Sequence, residues 1–240
     1  MAINVDLSGK VAVITGGSGA LGSAVTRRVH EAGALCHVTF VAKAERDRLL
    51  AEPWANSDRL CFHCVDVTDA KAVAGLFADV DSRHGRLDVL LTIAGCWGMA
   101  PIEEAPVEQW DDLADLNAKG VWLACREAVP RMKKRGWGRI VTVSARAVLQ
   151  QPAKMAAYVA AKAAVLAMTQ TLANELQGTG ITCNAILPSA IDTPANRRAM
   201  PKADPSRWIS PIAVADVILL LLSDEAAIIS GAAVPLVAGV

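Results

Sequence analysis

The stretch Val11-Ala-Val-Ile-Thr-Gly-Gly-Ser-Gly-Ala-Leu-Gly22 sets an apolar β run against a cluster of glycines. The run Lys10–Thr15 reads as a strand, and a helical pattern follows from about Ala20 to Ala32. Glycines let the backbone turn tightly and approach a ligand closely, and the helix behind them offers unpaired N–H groups and a positive dipole end to a pyrophosphate. A bare glycine cluster is often a plain turn; strand, loop and helix in that order mark a nucleotide site. On this reading Gly16, Ser18, Gly19, Ala20, Leu21 and Gly22 form a phosphate loop.

Outward from that loop, strands alternate with helices. Strands are expected at Leu35–Val41, Leu60–Val65, Leu87–Ala94, Arg139–Ser144, Ile181–Leu187 and near Val234–Val237. Helices are expected from Thr68 or Asp69 to about Ser82, over Val107–Arg135, over Lys154–Leu176 and over Ile212–Leu222. Parallel strands need helical crossovers, and nearly continuous apolar strands fit a sheet covered on both faces. The expectation is a single-domain, doubly wound α/β Rossmann fold over residues 1–240, with a mainly parallel sheet of about seven strands and helices on both faces. Pro188–Ser210 carries four prolines without clear periodicity and is expected to be a long substrate loop.

The 240 residues carry 24 Lys+Arg against 24 Asp+Glu, so a general phosphate field for nucleic acid is not expected. Hydrophobic residues make up 53 %, too many for a disordered chain. Mean hydropathy is +0.33, yet the longest aliphatic run, Val217–Leu222, falls well short of the ~20 residues of a bilayer span. Met1–Asp6 lacks the basic-then-apolar pattern of a leader, so a cytoplasmic protein with no membrane partner is expected. Six cysteines in such a chain read as reduced thiols. Cys61-Phe-His-Cys64 lies in a predicted strand without a second ligand pair at zinc spacing, so no metal site is expected.

Tyr158 is the only tyrosine, and Lys162 follows four residues later on a predicted helix, so the two share a face. A nearby ammonium is expected to lower the phenol pKa and make it a proton donor and acceptor. Asn117 disfavours regular helix where it stands, either kinking the helix to hold a water or capping a break. At the end of the second strand, where an acidic residue would bond the ribose hydroxyls of NAD, stands Phe40, followed closely by Lys43 and Arg46. The cofactor is expected to be NADP or NAD, the two cations pointing toward NADPH if they are not simply solvated.

Together these residues resemble the short-chain dehydrogenase/reductase family along essentially the whole chain. The match runs through Thr15–Gly22, Asp66 after the third strand, Ala94-Gly95 after the fourth, Asn117, Tyr158, Lys162, and Pro188 with Thr193. The resemblance implies that the loop binds NAD(P) and that Tyr158 passes a proton while hydride moves. It further implies that Lys162 contacts the nicotinamide ribose, that Asn117 holds a relay water, and that Asp66, beside Val67, approaches the adenine. A homodimer or homotetramer acting on a small molecule is also implied, with the Val107–Arg135 and Lys154–Leu176 helices as contact surfaces.

Three departures stand out. The middle glycine of the family loop is Ala20, and Asn-Asn-Ala-Gly is replaced by Thr92-Ile93-Ala94-Gly95. The family's catalytic serine, thirteen residues before the tyrosine, is Ala145, with Ser144 one residue away and on a strand pointing to the other face. Within the family these departures resemble the dihydropteridine reductases, which lack that serine; so do Gly16–Ser23, Ala94–Trp97 and Asp192–Asp204. Trp97 and Ala145 would then border a quinonoid dihydropterin, whose ring spreads accepted charge and needs less localised oxyanion support. A general carbonyl or ketoacyl reductase, with Ser144 or water replacing the lost hydroxyl, and a cofactor-binding protein with little catalysis are the alternatives. Trp208 and Met200 read as pocket walls or packing, Asp192 as a cap or a substrate contact, and Arg197-Arg198 as an anion site or solvated cations.

Overall fold

A computed structural model describes residues 5–238. The chain runs through β1 (Val11–Thr15), α1 (Ala20–Glu31), β2 (Leu35–Phe40), α2 (Lys43–Leu50), β3 (Leu60–Cys64), α3 (Ala70–His84) and β4 (Val89–Thr92). It continues through α4 (Val107–Ala114), α5 (Gly120–Arg135), β5 (Gly138–Val143), α6 (Ala147–Gln150), α7 (Ala156–Glu175), β6 (Ile181–Pro188), α8 (Pro194–Ala199), α9 (Pro211–Leu222) and β7 (Ala233–Leu236). The seven strands form one sheet in the order β3-β2-β1-β4-β5-β6-β7, and every pairing is parallel.

Alternation along the central strands divides the core. Val13, Leu90 and Ile140 face α3, α5 and α7, against Phe77, Ala128 and Val165. Ile14, Leu91 and Val141 face α1 and α9, against Val25, Val29 and Ile218. Thr15 of β1 lies beside Thr92 of β4 in register, and the strand order reverses between these two neighbours. A crevice opens beyond the strand ends at such a reversal, which is where an open parallel sheet binds its ligand.

Three expectations are corrected locally. The helix expected over Val107–Arg135 is two helices joined by a π-helical turn, Asp115–Lys119. The segment after Phe40 holds α2, which was not expected: only Leu49 is buried on it, so it lacks the apolar stripe by which a helix shows itself. The 188–210 segment is not all loop, because Thr193 caps α8 by accepting from Asn196 N. Helix α7 is long and apolar enough to cross a membrane, but Lys162, Val165, Thr169 and Ala173 on it are buried within this fold.

Candidate active site

The loop after β1 is shaped by close approach. Gly16 has φ +64, and a Cβ there would stand 2.8 Å from Ala94 Cα; a Cβ on Gly22 would stand 2.0 Å from Gly16 O. No side chain fits either place. Gly19 caps α1 without a side-chain acceptor, so the first N–H groups of the helix are left for another partner. Ser18 is 5 % exposed, and its Oγ has no hydrogen-bond partner among the described residues. A buried hydroxyl without a partner, beside free helix N–H groups, is what a bound pyrophosphate would satisfy. Ala20, exposed on the first turn of α1, replaces the family glycine without a clash. Leu21 borders the pocket described below.

The neighbouring strand ends border this loop. Thr39 Oγ1 accepts from Gly16 N at 2.9 Å, a contact the sequence did not reveal. Phe40, 6 % exposed, lies 5.1 Å below the Arg46 guanidinium, so no carboxylate stands at the end of β2; Lys43 is exposed at the start of α2. Asp66 accepts from Thr68 N and Thr68 Oγ1 at 2.9 and 2.8 Å, and these bonds hold its carboxyl below the usual range. Val67 is buried against the place a Cβ of Gly120 would take.

At the other end of the crevice Gly95, Asn117 and Lys162 converge. A Cβ on Gly95 would lie 2.7 Å from Asn117 Oδ1 and 3.2 Å from Lys162 Nζ. The π-helical turn carries Asn117 inward, wholly buried, where its Nδ2 donates to Leu113 O and Cys96 O at 3.0 Å each. Cys96 N donates back to Asn117 Oδ1 at 3.3 Å. Asn117 therefore widens the helix rather than capping a break, and its amide fastens the loop after β4. Cys96, not expected at the site, enters through this bracket.

Lys162 Nζ donates to Val143 O at 2.9 Å, and burial lowers its pKa to about 8. Tyr158 moves opposite to the expectation: burial, with the Cys96 thiol beside it, pushes the phenol up to about 12. An ammonium already pressed toward its neutral form does not offset desolvation of the phenolate. Ser144 lines the pocket described below. Its Oγ donates to Lys162 O at 2.8 Å in a buried position, which spends the hydroxyl on fastening β5 to α7. Ala145 is buried beside it and presents no donor.

A pocket of about 530 Å³ joins these groups, with Trp97, Ala145, Arg146, Tyr158, Asn196 and Met200 among its lining. Trp97 and Ala145 thus border it as expected. Pro188 ends β6 at the pocket wall and accepts from Arg146 N at 3.0 Å, while Thr193 lies behind as the cap of α8. Trp208 is not among the lining, and Asp192 is paired with Arg197 at 2.6 Å.

The parallel sheet, the glycine-rich loop after β1, and the part-buried Tyr158 near the buried Lys162 and Asn117 fit a nucleotide-dependent oxidoreductase. The chain belongs to the short-chain dehydrogenase family: the family's model matches residues 10–204. It is 34 % identical over 214 residues to a D-beta-hydroxybutyrate dehydrogenase of Rhizobium meliloti, covering 88 % of this chain and 83 % of that one. It is 33 % identical over 233 residues to the 3-oxoacyl-[acyl-carrier-protein] reductase FabG of Thermotoga maritima, covering 94 % and 95 %. The crystal structure of gox2181 superposes with a TM-score of 0.90 at 28 % identity, covering 97 % of this chain and 96 % of that one. The chain is thus an NAD(P)-dependent oxidoreductase of this family. The pterin expectation finds no support in these relatives.

Proposed function

We propose that this protein interconverts a small hydroxy acid and the matching oxo acid, with Arg146 pairing the substrate carboxylate. The observation that carries this reading is Arg146 in the lining of the Tyr158 pocket, next to Ala145 and without an ion pair among the described residues. A guanidinium matches a carboxylate in two-point geometry. The names of the hydroxybutyrate and oxoacyl relatives agree with it.

In the proposed reaction Tyr158 gives its proton to the carbonyl oxygen of the oxo acid, and takes it back from the alcohol in reverse. Lys162, buried one helical turn along α7, would supply positive charge as the phenol ionises. Asn117 holds the loop carrying Cys96 and Trp97 at the pocket. Nicotinamide, when bound, supplies or accepts the hydride. Ser18, Gly16, Gly19 and Gly22 would hold its pyrophosphate. Lys43 would pair a 2′-phosphate, since Phe40 offers the ribose no carboxylate; NADPH is the proposed cofactor. A homo-oligomer is proposed through the α4–α5 side, where Trp110 and Trp122 are 52 % and 50 % exposed.

Ala145 and Trp97 at the pocket favour a second reading, a quinonoid dihydropterin substrate. The test follows oxidation of NADPH and of NADH with 3-oxobutanoate, a neutral methyl ketone and quinonoid dihydropterin, in wild type and Arg146→Ala. The reading expects turnover of the oxo acid and a KM for it raised at least tenfold by Arg146→Ala, with little change for the neutral ketone. Turnover of the pterin alone would overturn it.

A further inference from the structure

Three of the four histidines of this chain meet far from the catalytic pocket, between the edge of the sheet and α3. On β2, His37 stands opposite Cys61 of β3, and Thr39 opposite His63, so His37 and His63 rise from the same face two residues apart. Their rings stack with centroids 5.0 Å apart, and His37 Nδ1 lies 2.9 Å from His63 Nε2. His84, at the end of α3, meets the His37 ring edge-on at 5.0 Å. Asp79 of the same helix faces His63, with 3.9 Å between its Oδ2 and His63 Nδ1.

The cluster is not satisfied by the protein. His37 is 0 % exposed, and its Nε2 has no hydrogen-bond partner among the described residues; His84 Nε2 has none either. Whichever imidazole donates in the His37–His63 bond, one ring nitrogen of His37 stays orphaned in a buried position, which is unfavourable for a polar group. Ligand atoms of His37, His63 and Asp79 all lie within 4.8 Å of one another. Two atoms bound to one zinc at ~2.0–2.2 Å each stand at most ~4.4 Å apart, so small side-chain movements close the set.

We propose that His37, His63 and Asp79 form a binding site for a borderline divalent cation of the zinc type, joining strands β2 and β3 to α3. Imidazole and carboxylate donors select Zn²⁺, Co²⁺ or Ni²⁺ over Mg²⁺ or Ca²⁺. The ion enters from the His63 and Asp79 side, where those side chains are 15 % and 34 % exposed. Arg83 is the competitor: its Nε holds Asp79 Oδ2 at 2.8 Å, while Oδ1 has no hydrogen bond among the described residues. Cys61 and Cys64 fall on opposite faces of β3 and do not form the site as a pair.

The test uses the untagged full-length protein, stripped with chelator and titrated with Zn²⁺ against a chromophoric competitor, with thermal unfolding alongside. The expected result is one Zn²⁺ per chain and a higher unfolding temperature with the ion. His63→Gln and Asp79→Asn, confirmed folded by circular dichroism, should each weaken binding at least tenfold. Arg83→Gln should tighten it, which a damaged fold cannot imitate, and Cys61→Ser/Cys64→Ser should leave it unchanged. Absence of saturable one-to-one binding, binding that survives both ligand substitutions, loss with the cysteine pair, or no tightening in Arg83→Gln would overturn the proposal.

Discussion

Trp97 and Asn196 lie ninety-nine positions apart in the chain, and the indole Nε1 donates to the Asn196 Oδ1 at 3.1 Å. Asn196 Nδ2 in turn donates to Ile191 O at 2.8 Å. The loop after β4 is thereby latched to the start of α8, and both pieces line the pocket that holds Tyr158. Trp97→Phe keeps the ring and removes the bond, worth ~1 kcal/mol. The expected outcome is a several-fold rise in KM for the carbonyl substrate and faster proteolytic nicking between residues 188 and 210, measured by steady-state kinetics and limited digestion.

Lys162 is buried with its pKa lowered from 10.5 to about 8, so it lowers stability at neutral pH. The unfolded chain binds more protons than the native one between pH 8 and 10.5, and stability from this group therefore rises with pH through that window. The Tyr158 phenol, raised from 10.0 to about 12, acts in the opposite direction above pH 10. Lys162→Met should raise the unfolding free energy at pH 7 by at most ~3 kcal/mol less the lost bond to Val143 O, and should abolish turnover. The gain should shrink between pH 8 and 10, as followed by urea titration at each pH.

Gly22 leaves no room for a side chain, since a Cβ would stand 2.0 Å from Gly16 O. Gly22→Ala should displace the loop and weaken NAD(P)H binding at least tenfold, read by nucleotide fluorescence, while far-UV circular dichroism shows the sheet intact. Ala20→Gly should change binding little, because Ala20 is exposed and clear of the turn.

Ala145 is where this chain lacks a donor, while the neighbouring Ser144 hydroxyl donates to Lys162 O. Ala145→Ser should raise kcat for ketones and oxo acids, by up to ~10²-fold if the new hydroxyl reaches the developing oxyanion. Ser144→Ala should leave the ratio of oxo-acid to ketone turnover unchanged and cost stability. Kinetics on both substrates and thermal unfolding separate the two effects.

The strand–loop–helix of Val11–Gly22 was legible because a parallel sheet writes its strands as apolar runs and its turns as glycines. Tyr158 and Lys162 were legible through their four-residue spacing on one helix. Asn117 was recognised as a helix irregularity, but not its π-helical form, which depends on the loop after β4 packing against it. Helices α2 and α8 were missed because one lacks a buried stripe and the other buries nothing. Thr39, Cys96, Asn196 and the His37–His63–Asp79 cluster come from separate elements and carry no spacing signal. The direction of the Tyr158 shift was missed because burial, not its neighbour Lys162, sets it.

The measurement closest to the central claim is NADPH-dependent reduction of 3-oxobutanoate by wild type and by Tyr158→Phe, with nucleotide binding measured in both. The account predicts turnover by wild type, a loss of at least ~10²-fold in kcat without the phenol proton, and unchanged nucleotide affinity. Equal turnover by the two proteins, or none by wild type, would contradict it.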